Sequence, residues 1–166
     1  MTVTNQQFRD AMARLGAAVN VVTTAGEAGR WGITASAVCS VTDQPPTLLV
    51  CLNRSSAMNR IVKANGVLCV NTLAAEQQDV SDVFAGRTGC TPEDRFASAG
   101  WTRLVTGAPV LEAAVVAFDC RVTDILEKGT HSVLFAEVAA IRQGDGVEGA
   151  LIWFGRDYHP VGLAAD

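Results

Sequence analysis

The chain of 166 residues predicts a mainly β fold, a closed antiparallel barrel with accessory helices, on three grounds. Val-rich apolar runs bounded by Gly, Pro, Asp and Asn recur along it. The last three of these runs follow one another across short turns, as in a meander that closes a barrel. Strands do not alternate regularly with helices, and neither GxGxxG after the first strand nor the P-loop pattern occurs.

In chain order, QQFRDAMARLG (6–16) repeats Phe8, Met12 and Leu15 at helical spacing and stops at Gly16, which predicts a short amphipathic helix. Strands follow at AVNVVTT (18–24), GITASAVCSV (32–41) and TLLVCLN (47–53), the last two joined through Pro45-Pro46. In SSAMNRIVKANG (55–66) a Ser pair precedes Met58, Ile61 and Val62, and Asn65-Gly66 terminates a second helix. After the strand VLCVNTL (67–73), Val80, Val83 and Phe84 share a face in EQQDVSDVFAG (76–86), a third helix. GRTGCTPEDRFASAG (86–100) reads as a long exposed loop. The closing strands are VVAFDCRVTDIL (115–126), HSVLFAEVAAI (131–141) and ALIWFGRDYH (150–159). In the first of them Val116, Phe118, Cys120 and Val122 alternate with Ala117, Asp119, Arg121 and Thr123, the pattern of a strand with one dry face. No repeat or linker interrupts residues 1–166, so one domain is expected.

A net charge of -4 and a pI near 5.1 exclude the basic footprint of a nucleic-acid binder or an anionic-membrane binder. The hydrophobic fraction of 49% and mean hydropathy of +0.23 are high, yet no apolar run approaches the roughly 20 residues that span a bilayer. The surplus predicts a subunit interface. Five cysteines, odd in number and without CxxC spacing, predict reduced thiols, and the absence of a cleavable apolar leader makes the cytoplasm the expected compartment.

Two stretches carry candidate ligand chemistry. At CLNRSSAMNR a strand ends at Asn53 and a helix begins at Ser55 or Ser56; free N–H groups, two hydroxyls, Arg54 and Arg60 would cradle a phosphate, or Ser would simply cap the helix. At Thr34, Ala35, Ser36 and Ala37 small residues stand where bulky ones would fill a strand face, which lets a planar ring approach the backbone or two strands pack closely. His131, after a Gly-Thr turn, belongs at a barrel rim, and Tyr158 and His159 stand together near the chain end. Two histidines without paired Cys/His spacing argue against a metal site. Ser36 lies in no nucleophile elbow, and Cys51 lies in an apolar strand where thiols are inert. Asp79, Asp82, Glu93 and Asp94 read as solvated carboxylates.

Taken together, RDAM (9–12), AAVNVVTT (17–24), GITASAVCSVTDQPP (32–46), LCVNTL (68–73), GTH (129–131) and WFGRDYH (153–159) resemble the flavin reductase family of two-component monooxygenase systems. The resemblance implies a Greek-key split β-barrel homodimer that binds FMN (or FAD) at the subunit interface. It implies hydride uptake from NADH (or NADPH) and release of reduced flavin to a separate flavin-dependent monooxygenase. Carried over by motif, Thr34, Ala35, Ser36 and Ala37 contact the flavin ring, Asn53, Ser55 and Ser56 take its ribityl-phosphate side, and Arg87 adds a cofactor contact. His131 faces the nicotinamide as the catalytic candidate, with Tyr158 and His159 beside it. Many relatives carry a hydroxyl residue where Ala37 stands, so here that contact falls to the backbone. Two other functions are compatible with such a barrel: a flavin or heme carrier without nicotinamide turnover, and a pyridoxamine phosphate oxidase, which needs more basic phosphate ligands than this chain offers.

Overall fold

The computed structural model describes residues 2–147 and 149–162. In chain order they form α1 (Asn5–Met12), β1 (Ala17–Ala18), β2 (Asn20–Thr24), β3 (Trp31–Ala35), β4 (Val38–Asp43), β5 (Pro46–Asn53), α2 (Ala57–Asn65), β6 (Val67–Thr72) and α3 (Gln78–Phe84). A 3-10 helix (Asp94–Ser98) then leads into β7 (Trp101–Arg103), β8 (Pro109–Leu111), β9 (Val116–Lys128), β10 (His131–Gln143), β11 (Gly149–Phe154) and β12 (Asp157–Gly162). The mainly β, antiparallel architecture with three α-helices agrees with the sequence expectation.

Seven strands make one antiparallel sheet in the order β3-β2-β6-β9-β10-β5-β4. Its two edges, β3 and β4, are consecutive in the chain and joined only by Ser36-Ala37. A flat sheet of this width would hold its edges about 29 Å apart. The connection spans only about 10 Å. The sheet therefore curls until its edges meet at the Ser36-Ala37 corner. Its hydrogen-bond ladder nevertheless stays open, because β3 and β4 do not pair with each other. The closed barrel expected from the sequence is thus an open, curled sheet. The run 32–41, expected as one strand, is broken at this same corner.

The predicted closing meander also differs. β9 and β10 do form a long hairpin, but the second neighbour of β10 is β5, and β11 leaves for a three-stranded sheet with β1 and β12. That sheet is stitched to the larger one at Val19, whose N–H donates to the Leu151 carbonyl and whose own carbonyl accepts from the Leu73 N–H, both at 2.9 Å. The turn that separates β11 from β12 is Gly155-Arg156, where both residues have positive φ.

The main core joins Val22, Val50, Leu52, Leu68, Val70, Cys120 and Leu134 from the sheet with Met58 and Val62 of α2. Helix α2 starts where the Ser56 hydroxyl accepts from the Asn59 N–H at 3.1 Å, and it stops where Gly66 takes the left-handed conformation at φ 68°. A second core holds Phe84, Phe96 and Trp101 edge to face, with ring centroids 5.1–5.4 Å apart. Most of the expected loop over 86–100 is exposed, but the 3-10 turn at Asp94–Ser98 within it buries Phe96. The expected single dry face of β9 is corrected. Ala117 and Asp119 are buried on its other face, where Ala117 packs with Ala108 and Val110 on and before β8. Asp119 accepts there from the Thr106 N–H at 2.8 Å and from the Thr106 hydroxyl. Helix α1 is capped by a Thr4–Gln7 box but buries no residue, and Phe8 stays 60% exposed.

Candidate functional site

The β3–β4 corner forms one wall of a cavity of about 180 Å³ that is lined by Val19, Thr34, Ala35, Ser36, Ala85, Arg87, Trp153 and Tyr158. Its shape follows from three local packings. Small side chains at 35–37 leave room beside the corner. Helix α3 is seated on β3 through Gly32, where an added Cβ would lie 2.6 Å from the Phe84 ring, so only glycine permits this approach. The β11–β12 hairpin then brings Trp153 and Tyr158 opposite, ring centroids 4.9 Å apart and edge to face.

A polar network crosses the cavity. The Thr34 hydroxyl donates to the Ser81 carbonyl at 2.6 Å. The Ser81 and Tyr158 hydroxyls lie 2.8 Å apart, and Tyr158 donates to Asp82 Oδ1 at 3.0 Å. Arg87 Nη1 donates to the same carboxylate oxygen at 2.8 Å and to the Tyr158 oxygen at 3.3 Å, with its guanidinium 5.5 Å from the centroids of both Trp153 and Tyr158. Burial, more than any neighbour, holds the Tyr158 hydroxyl above the ordinary tyrosine value, so it stays a protonated donor at neutral pH.

A second, shallower groove of about 490 Å³ opens at the far end of β5, between Asn53, Arg54, Ser55, Gly129 and Thr130. Asn53 Oδ1 accepts from both the N–H and the hydroxyl of Ser55, at 2.9 and 2.8 Å, and Ser56 donates to the Asn53 carbonyl while capping α2. Arg54 donates to the Gly129 carbonyl at 3.3 Å and pairs with Glu127 at 3.1 Å. Glu127 also meets Lys63, and the hydrogen bond from Lys63 is the largest of the effects that lower its carboxyl below the usual range. Two cations thus share one carboxylate beside this groove, and Arg54 is the charged residue that lines it.

The sheet register relates the two places. The Ala37 carbonyl accepts from the Cys51 N–H at 3.0 Å, Cys51 pairs across β5–β10 with Val133, and two pairs further on Asn53 faces His131. His131 Nδ1 lies 2.9 Å from the Thr130 hydroxyl. Of the residues expected from the sequence, Thr34, Ala35, Ser36, Arg87 and Tyr158 therefore share one cavity. Asn53 and Ser55 line the second groove, with His131 at its margin, and Ser56 acts as the helix cap. His159 is set apart: neighbours on a strand point to opposite faces, and its ring packs on Phe154 and meets the Phe154 carbonyl at 3.0 Å rather than joining Tyr158.

Sequence reasoning missed Trp153, Ser81 and Asp82. Asp82 read as a solvated carboxylate, whereas it ties Arg87 to Tyr158. The available signal was a hydroxyl three residues before Phe84, on the buried stripe of α3. Burial pushes the Cys120 thiol up to about 12 and the Cys69 thiol higher still, so neither of these two is a nucleophile at neutral pH. Among the described residues no cluster of His, Cys, Asp and Glu is arranged to hold a metal, and no helix is long and apolar enough to cross a membrane.

The curled antiparallel sheet and its corner cavity lie within residues 12–162, which match the family described as flavin reductase like domain. The chain belongs to that family. The FMN reductase (NADH) RutF of Ancylobacter novellus is 60% identical to it over 159 residues, covering 96% of this chain and 86% of that protein. BorF, the flavin reductase component of a bacterial two-component tryptophan halogenase, superposes with a TM-score of 0.88 at 27% identity, over 97% of this chain and 100% of that one. SgcE6 of Streptomyces globisporus, an NADH:FAD oxidoreductase solved in complex with NAD and FAD fragments, gives a TM-score of 0.87 at 25% identity, over 100% of this chain and 99% of that one.

Proposed function

We propose that this chain is an NADH-dependent FMN reductase that takes a hydride from NADH and supplies reduced flavin to a separate flavin-dependent monooxygenase. The carrying observation is that one sheet register lays the ring-sized corner at Thr34–Ala37 beside the polar groove at Asn53–Thr130. A flavin mononucleotide has this same polarity, an apolar ring joined to a phosphate. The donor set fits: the corner offers small side chains and backbone groups, the cavity offers a charge-compensated Arg87–Asp82 pair beside two aromatic rings, and the groove offers Arg54 with the polar groups of Asn53, Ser55 and Thr130. The names of the relatives support the same reading.

Bound there, FMN would supply the ring that accepts the hydride. The protein's part is positioning, which suffices for a direct transfer between stacked rings. Thr34, Ala35, Ser36 and Ala37 hold the ring, Asn53 and Ser55 its ribityl-phosphate side with Ser56 fixing the helix beneath, and Arg87 and Tyr158 close the cavity wall. His131 orients the nicotinamide. His159 would serve only from a second subunit.

The assembly we infer is a cytoplasmic homodimer of split barrels, each chain one domain over residues 1–166. A cavity of about 180 Å³ falls short of the roughly 300–1,000 Å³ of ligand pockets, so a second copy would complete the site. The test is a coupled one: purified protein is given excess FMN with NADH or NADPH, and nicotinamide oxidation is followed by absorbance. Oxidation of NADH faster than NADPH is expected. A protein that binds FMN yet oxidises neither nucleotide would be a flavin carrier instead.

A further inference from the structure

Serine on the buried face of a helix is costly unless its hydroxyl is paired, and alanine would pack there equally well. Ser81 on α3 is completely buried beside Phe84, and its hydroxyl has one hydrogen-bond partner among the described residues, the Tyr158 hydroxyl at 2.8 Å. Its carbonyl, already accepting from the Ala85 N–H within the helix, also accepts from the Thr34 hydroxyl at 2.6 Å. One residue thus joins the corner wall to the aromatic wall. The next residue, Asp82, has Arg87 at 2.8 Å and Tyr158 at 3.0 Å on a single carboxylate oxygen. Among the described residues the hydrogen bonds of the Arg87 guanidinium are made through Nη1.

We propose that Ser81 and Asp82 are positioning residues for the ligand cavity. Ser81 locks Thr34 and Tyr158 in one arrangement, while Asp82 fixes the direction of Arg87 and cancels its charge. The inference rests on this cavity being the flavin site. Neither residue lines the cavity, so each acts through Thr34, Tyr158 or Arg87. Without the lock, the walls must be ordered when the ligand arrives, and that cost falls on affinity. Without Asp82 the Arg87 charge is uncompensated, and binding of a phosphate-bearing ligand gains a screened electrostatic component.

The test measures equilibrium binding of oxidised FMN by fluorescence quenching, at several salt concentrations, together with thermal unfolding. It compares the wild type, Ser81→Ala, Tyr158→Phe, their double variant and Asp82→Asn. Losing the Ser81–Tyr158 hydrogen bond is expected to weaken FMN binding about three- to tenfold in either single variant, with the double variant no weaker than the worse single one. Asp82→Asn is expected to steepen the salt dependence. Single variants within twofold of wild type, or losses that multiply in the double variant, would overturn the role of Ser81, and Ser81→Cys, which keeps the size of the side chain but weakens its hydrogen bond, carries this comparison if Ser81→Ala does not fold. An unchanged salt slope in Asp82→Asn would overturn the role of Asp82. A wild type that neither quenches FMN nor oxidises NADH with it brings down the flavin reading and this inference together, whereas normal wild-type binding with unaffected variants brings down the inference alone.

Discussion

His131 and Ser56 show how polar side chains near one end of the sheet divide between ligand and scaffold. His131 opens β10 opposite Asn53, exposed, with its ring beside the Thr130 hydroxyl, which leaves it free for the nicotinamide role proposed above. His131→Ala is expected to raise the KM for NADH about three- to tenfold while FMN affinity stays within twofold, which steady-state kinetics and flavin titration would separate. Equal NADH kinetics would remove the residue from the site. Ser56 instead satisfies the first turn of α2. Ser56→Ala should cost about 1 kcal/mol and lower Tm by roughly 2–4 °C in a thermal melt, with little effect on flavin binding. Ser55, which engages Asn53 and caps nothing, is the serine whose loss should weaken FMN.

At the scale of elements, α2 is the brace of the site. Its inner face buries Met58 completely in the main core, and Asn59 Nδ2 donates to the Leu52 carbonyl at 3.2 Å and the Ser132 hydroxyl at 2.8 Å. The helix is thereby tied to β5 and β10, the two strands that carry Asn53 and His131. Met58→Ala is expected to lose about 2–5 kcal/mol in urea unfolding. Glu127 makes the outer tie from β9 through Lys63 of α2, Arg54 and Ser132. Its carboxyl is lowered in the fold, so the stabilisation is complete above the ordinary value of 4.5 and is lost as pH falls through the depressed folded value. Melting profiles of the wild type should therefore fall more steeply in acid than those of Glu127→Gln, and parallel profiles would show that the tie contributes nothing.

For the whole molecule, one exposed apolar surface lies on the β9–β10 hairpin, where Ile125, Leu126 and Phe135 line a groove of about 640 Å³ with Pro45 and Thr47. Leu126 is 56% exposed there. In the proposed homodimer this surface would be covered. Leu126→Asp is then expected to shift sedimentation from dimer to monomer and to weaken FMN binding along with it. A wild type that sediments as a monomer, or a monomeric variant with full flavin affinity, would remove the second copy from the site.

The amino-acid order alone determined the three helices and the long strands around β5, β6, β9 and β10, because Val-rich alternation, Ser56, Gly66 and the Pro45 turn act over a few residues. It also marked Thr34–Ser36, Arg87 and Tyr158, since small residues in an apolar run and a motif shared with a family are legible without coordinates. The tertiary structure decided the rest. The break at Ser36-Ala37, the departure of β11 from the meander and the burial of Phe96 depend on which strands meet, and strand pairing is set by contacts far apart in the chain. Ser81 and Asp82 were hidden for the same reason, as Tyr158, 77 and 76 positions away, gives them their role only once the curled sheet brings that hairpin against α3.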